Sequence, residues 1–361
     1  MHEYDISCFI DAGSGFTDPA KVYSNVIVRN EWGYDGQYFY RLALDPFTSN
    51  QVAYGVYLDN PPYRHQRILY PFFAWAISLG NPKIVPYSLV LVNLVMICLI
   101  GFVGAEIAKL LNMHTLWGLT FSLYPGFIMS VCRNLSEVTA ACFILTGLFL
   151  IRTERPKLGT IALALAVLAR ETTLLVAVGL GLAWIIAWMK GKEVQPAKWY
   201  CWTMPLLVYI CTQILLWMNW GEFPLLSSGR GDFGFPFVGF VRRYAHSMLF
   251  PTSSGIVEGI ARFIWLIETS FLIAFVWSII RTMGNSEAPA HEKNSWVFYV
   301  VLASLMSYDI WNSDLSFLRG ATELYVIGML LLLSSRHWIR KLLTAWIGIL
   351  WIPVAVSRMR Y

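Results

Sequence analysis

From Tyr87 to about Ala108 the chain is apolar with no period-two alternation, and a charged residue, Lys109, follows it. Such a run is long enough for a helix to cross a bilayer, where every backbone polar group must be satisfied inside the segment. It recurs. Thr115 to Cys132, Leu135 to Ile151, Leu158 to Ala169, Thr172 to Met189 and Tyr200 to Met218 are apolar, as are Ile260 to Ile280, Trp296 to Trp311, Gly320 to Leu333 and Leu342 to Val356. With 57% hydrophobic and 14% charged residues, the chain holds more apolar surface than a soluble core of this length needs. The expectation is an all-α, polytopic transmembrane bundle of about ten spans, some of them short. Gln66 to Leu79 is apolar but shorter, and reads as an interfacial or partly inserted helix.

Two regions follow from this reading. Residues 1–80 form a polar, aromatic cap of short helices and turns lying on the bilayer. Residues 81–361 form the helical domain, including an outer loop at 219–259. No basic n-region with an apolar stretch behind it precedes the cap, so no cleavable signal is visible.

Charge gives the orientation. Lys109, the group Arg152, Arg155 and Lys157, the lysines 190, 192 and 198, Arg281 with Lys293, and Arg336, Arg340 and Lys341 fall on one side, which the positive-inside rule makes cytoplasmic. Asp35, Asp59, Arg64, Arg67, Arg133, Asn134, Glu137, Arg170, Glu171, Arg242, Arg243, His246, Asp309, Asp314 and Arg319 then share the extracytoplasmic face. Ionisable residues near membrane depth are costly and usually paired or lining a polar cavity. The hairpin over Leu158 to Met189 competes with one long helix containing Arg170 and Glu171; the hairpin keeps the flanking basic loops on one side. The net charge of +5 is spread through short loops, which argues against a nucleic-acid partner.

Within the cap, Glu31 to Tyr40 (EWGYDGQYFY) sets one carboxylate, Asp35, between Gly33 and Gly36 and among aromatic rings. It has two readings. Asp35 caps a helix beginning near Gln37, or it is a general base for a sugar or lipid hydroxyl, with Tyr34 and Tyr38 as faces for a sugar ring. Arg64 and Arg67, three apart behind Asp59 and a proline pair, suit an anionic phosphate, since the guanidinium fork donates two hydrogen bonds. They equally suit lipid headgroups reached by snorkelling. Arg133 with Glu137, and Arg170 with Glu171, sit at two helical tips and read as ligand contacts or as internal ion pairs. Asp309, Asp314 and Arg319 make a third such cluster. The loop 219–259 either dips into the outer leaflet or is a structured surface loop. Glu268, inside an expected span, should be paired or protonated. The six cysteines read as reduced, packed thiols. No phosphate-binding loop, dinucleotide fingerprint, HExxH or CxxC is present, and the histidines lack metal-ligand spacing.

Three stretches, GYDGQYFYRLALDPF, DNPPYRHQRILYPFFAWAISLG and LARETTLL, resemble the GT-C class of polytopic glycosyltransferases, and within it a bacterial group linked to cell-surface glycopolymer formation. The resemblance implies an inverting transfer of a sugar from a polyprenyl-phosphate carrier to a glycan or lipid acceptor. The reaction would take place on the extracytoplasmic face of a bacterial plasma membrane. It implies Asp35 as the catalytic base and Arg64, Arg67 and Arg170 as holders of the lipid-linked phosphate. Tyr34, Gln37, Tyr38, Asp59, Arg133, Glu137, Glu171 and Arg319 join them as substrate-binding residues. Many relatives carry two adjacent acids where Asp35 has only Glu31 nearby, which leaves a divalent cation open and no other cofactor implied. The class usually begins with a membrane helix ahead of this loop, so the natural start is expected upstream of Met1. The alternatives are a glycolipid transporter or flippase, and a non-catalytic subunit of a glycan assembly complex.

Overall fold

A computed structural model describes residues 5–192, 197–227, 231–249, 256–312, 316–335 and 337–359. Asp314 and Arg336, and parts of the 219–259 loop, lie outside the described residues. The chain is mostly helical. It divides into two compact units, each discontinuous in sequence: Met1–Leu99 with Ser130–Leu174 and Thr203–Ser228, and Ile100–Met129 with Leu175–Trp202 and Gly229–Tyr361.

Among the described residues four helices are long and apolar enough to cross a membrane: Val85–Leu110, Glu171–Met189, Tyr200–Trp220 and Gly259–Asn285. A fifth span results if Thr115–Ser122 and Pro125–Cys132, bent by 50° at their break, are taken as one. The expectation of about ten is corrected. The reason is length: Glu137–Arg152 has 16 residues, or about 24 Å at 1.5 Å per residue, against a hydrocarbon core of about 30 Å. Pro156–Ala169, Ala290–Ser304 and Thr322–Ser334 are shorter still. Thr322–Ser334 is buried at every position, so its all-round hydrophobicity is that of a core helix. Trp296 to Trp311, read as one span, is broken between Ala290–Ser304 and the short helix Tyr308–Asn312. Leu158 to Met189 does break where expected: the first helix ends at Ala169, Arg170 is extended, and Glu171–Thr173 forms a 3-10 turn before Leu174–Met189.

In the first unit a 3-10 turn, Ile6–Ile10, leads to β1 (Ala12–Gly13), which pairs in parallel with β2 (Val28–Arg29). Next come α1 (Gly36–Leu44), the antiparallel pair β3 (Val52–Ala53) and β4 (Val56–Tyr57), α2 (Pro61–His65) and α3 (Leu69–Ser78). The two small sheets were not anticipated by the helices-and-turns reading. Every residue of α1 is buried, and Phe39 meets Tyr70 of α3 edge-on at 5.5 Å. Tyr70 in turn donates to the Leu89 carbonyl and accepts from Asn93, tying the cap to α4 (Val85–Leu110). Leu69 of α3, Ala140 and Ala169 form a common apolar cluster, which joins the helices Glu137–Arg152 and Pro156–Ala169 to the cap. Those two helices carry Glu137, Arg170 and Glu171 toward the N-terminal residues.

The second unit holds the Thr322–Ser334 core helix, where Tyr325 stacks on Tyr124 at 4.2 Å. Arg319 and Asp309 belong to this unit, in the short helices Ser316–Gly320 and Tyr308–Asn312. Arg242 lies over the Tyr308 ring at 4.9 Å and Arg243 over Trp265 at 5.3 Å. Glu268 is fully buried in the Gly259–Asn285 helix, and among the described residues neither carboxyl oxygen has a hydrogen-bond partner.

Candidate functional site

The approach to Asp35 is set by backbone contacts. Asp11, in the left-handed region at φ 52°, accepts a hydrogen bond at its carbonyl from the Tyr34 amide at 2.9 Å. Gly33 takes φ 72°, a conformation that side chains disfavour, and turns the chain toward α1. A Cβ on Gly36 would lie 2.4 Å from the Arg133 carbonyl oxygen and 2.5 Å from that of Ile10. Gly36→Ala is therefore expected to cost about 1–3 kcal/mol, because rigid backbone must move. A thermal unfolding midpoint equal to that of the parent protein would refute this.

Helix α1 starts at Gly36, one residue earlier than read, and Asp35 makes no side-chain cap to it. Its carboxylate faces α2 instead. Arg64 Nη1 donates to Asp35 Oδ1 at 2.9 Å, while Arg64 Nε and Nη2 donate to the two oxygens of Asp59 at 2.8 Å each. One guanidinium thus bridges two acids. Arg64 also lies over the Tyr38 ring at 4.1 Å. Burial alone would lower the pKa of Arg64, but the charges of Asp35 and Asp59 and the hydrogen bonds to Asp59 outweigh it and raise it, so the cation is fixed. The second acid beside Asp35 is accordingly Asp59, through Arg64. Glu31, its neighbour in sequence, faces Arg29 at 3.7 Å.

Tyr63 continues the cluster, with its ring under Arg64 at 5.3 Å and under Arg67 at 4.7 Å. Arg67 Nη2 donates to the Tyr63 hydroxyl at 2.6 Å, and Arg67 Nε donates to Glu171 Oε2 at 2.9 Å. Burial disfavours the Arg67 cation, yet Glu171 and Tyr63 more than compensate and its pKa rises. Arg170, next in the chain to Glu171, has Nη2 3.9 Å from Glu137 Oε1, and Glu137 also accepts from the Ser130 hydroxyl. On the other side, Arg133 lies over the Tyr34 ring at 4.1 Å and 3.6 Å from an Asp11 oxygen.

Ten of the twelve residues singled out from sequence, Asp35, Tyr34, Tyr38, Asp59, Arg64, Arg67, Arg133, Glu137, Arg170 and Glu171, thus take part in this set of contacts within the first unit. Arg319 falls in the second unit. Gln37 is in the first, but its amide serves the fold: Oε1 accepts from the Gly13 amide and the Thr17 hydroxyl, and Nε2 donates to the Trp32 carbonyl. That knot holds the acidic loop against β1, so Gln37 is a scaffold residue. Tyr63 and Asp11 were overlooked. The spacing of Tyr63 and Arg67, four apart in sequence, was a usable signal; nothing local connects Asp11 to Arg133.

The charged groups here are already matched, with Arg64, Arg67, Arg133 and Arg170 each facing at least one acid. They do not suit a divalent cation: among the described residues no three His, Cys, Asp or Glu side chains gather to ligate one, and Arg64 already occupies the space between Asp35 and Asp59.

The α2 segment carrying Arg64 is anchored by His65. Its Nδ1 lies 2.9 Å from the Pro61 carbonyl oxygen and its ring 5.4 Å from that of Trp220. Burial, with a smaller repulsion from Arg41, holds its pKa below the usual histidine value of 6.5, although the Pro61 carbonyl and Asp45 oppose this. The folded state therefore favours neutral His65, and the unfolded chain takes the proton first. Stability should fall as pH drops below about 6.5, and a His65→Gln variant should show a flatter profile. Parallel unfolding curves for the two proteins across pH 7.5 to 5 would contradict it.

No family model, curated protein or solved structure matches this chain.

Proposed function

We propose that this protein is an inverting glycosyltransferase that moves a sugar from a polyprenyl-phosphate carrier to an acceptor hydroxyl, at the extracytoplasmic side of a bacterial plasma membrane. The observation that carries the reading is a carboxylate, Asp35, set against a guanidinium, Arg64, with a second guanidinium, Arg67, joined through Tyr63. The resemblance of the Asp35 stretch to GT-C enzymes supports it. The four long apolar helices supply the membrane setting.

In this mechanism the donor phosphate draws Arg64 from Asp35 and is held by Arg64 and Arg67. Asp35 takes the proton of the acceptor hydroxyl. The oxygen attacks the anomeric carbon as its bond to the phosphate oxygen breaks, and the electron pair leaves with polyprenyl phosphate. Inversion follows from in-line attack. The guanidinium charges stabilise the leaving phosphate, so no general acid is required.

The test is turnover by the purified full chain in vesicles, supplied with polyprenyl-phosphate hexoses and pentoses labelled in the sugar. Release of polyprenyl phosphate with label on an acceptor supports the reading; no release from any donor removes it. A glycolipid transporter is the second reading, favoured by the 50° break between Thr115–Ser122 and Pro125–Cys132, since broken helices mark many transporters. Label that crosses the vesicle membrane still attached to its lipid would select it.

A further inference from the structure

Two of the exposed aromatic patches on the first unit differ in their surroundings. In one, Phe47 (74% exposed) meets Phe72 and Trp75 edge-on at 6.2 and 5.8 Å, and the nearby α3 residues Ile77 and Leu79 are also exposed. Apolar on all sides and built on a short apolar helix, this patch has the composition of a lipid-facing surface. In the other, Trp32 (73% exposed) and Tyr57 (41% exposed) flank Phe16 at 5.6 and 6.2 Å. Its neighbours are polar: Gln51 donates to the Tyr57 hydroxyl at 3.0 Å, Ser14 donates to Asn30, and Arg29 faces Glu31.

We infer that the Trp32–Phe16–Tyr57 surface is the acceptor subsite, and that the acceptor is a carbohydrate chain; this rests on the glycosyltransferase reading of Asp35. Sugar rings offer a face of C–H groups and a rim of hydroxyls. An open aromatic face bordered by amide, hydroxyl and ionic side chains matches both, whereas an acyl chain finds no use for the polar border. The Trp32 ring is held ready, since it packs on Gly15 so closely that a Cβ there would come within 2.6 Å of it.

The surface also leads to the proposed base. Phe16 meets Tyr38 at 5.6 Å, and the Tyr38 ring also lies under the Arg64 guanidinium that holds Asp35. Trp32 precedes Asp35 by three residues, with its carbonyl fixed by Gln37. A glycan stacked on Trp32 and Tyr57 is thereby placed with its end sugar toward Asp35, which makes these rings determinants of acceptor class.

The experiment is binding of the full-length protein in detergent micelles to an array of hexose and N-acetylhexosamine oligomers. Wild type is expected to bind a subset. Trp32→Ala and Tyr57→Ala should weaken that binding about tenfold or more, the scale of one lost aromatic contact, while Trp32→Phe retains most of it. Phe47→Ala should bind as wild type does, because Phe47 belongs to the other aromatic patch. Absence of binding to every oligomer, or equal binding by Trp32→Ala and wild type, overturns the inference. So does a Trp32→Ala protein whose main loss is flotation with phosphatidylethanolamine–phosphatidylglycerol vesicles. Should Trp32→Ala fail to fold, Tyr57→Ala and Trp32→Phe decide. Failed turnover with intact glycan binding faults the catalytic reading alone; turnover without glycan binding faults this subsite alone.

Discussion

Asp35→Asn leaves the protein folded and lowers sugar transfer by about a thousandfold, within the range of about 10²–10⁴ supplied by a general base. The substitution keeps the shape of the side chain and an oxygen able to accept from Arg64 Nη1, so the local geometry survives. What it removes is the negative charge and the affinity for a proton. Arg64 keeps its two hydrogen bonds to Asp59 and does not become an unpaired cation, which limits the effect on stability. Measuring the unfolding midpoint and the single-turnover rate of one preparation separates the two consequences. Undiminished transfer by a folded Asp35→Asn protein would end the catalytic assignment.

The second large effect is on stability. Arg67→Ala takes from Glu171 its hydrogen-bonded partner, met at 2.9 Å through Nε, and leaves Arg170 as its other cationic neighbour, in surroundings where the Glu171 side chain is only 22% exposed. Removing one member of a largely buried pair costs about 3 kcal/mol, because the remaining charge loses its partner without regaining full hydration. Replacing both, as Arg67→Met with Glu171→Leu, should recover most of that loss, since the desolvation cost disappears with the charges. The signature is thus a double variant more stable than the Arg67→Ala single variant. Equal destabilisation of the two in chemical denaturation would show that packing of the arginine stem, and not charge, is what matters.

Much of this molecule can be read from its residue order, for physical reasons that also mark where reading stops. Run length identified the long apolar helices Val85–Leu110 and Tyr200–Trp220, since no other structure satisfies their backbone in an apolar medium. It misjudged Thr322–Ser334, because a buried core helix and a lipid-facing helix have the same composition and differ only in what surrounds them. In the candidate site, Arg64 and Asp59 were legible from their chemistry and their closeness in sequence. The pairing of Arg67 with Glu171 spans 104 residues, and only the packing of Pro156–Ala169 against the cap makes it. Gln37 shows a related limit: a polar side chain two residues from Asp35 looks available until its three hydrogen bonds to the fold are seen.

The sharing of Arg64 between Asp35 and Asp59 has a consequence for timing. An acid held by a cation is a poor acceptor of protons, and it stays idle while that cation stays put. On the proposed reading, the phosphodiester anion of the donor competes for the same guanidinium and sets Asp35 to work at the moment it arrives. Water or an acceptor reaching Asp35 ahead of the donor would meet a base already engaged.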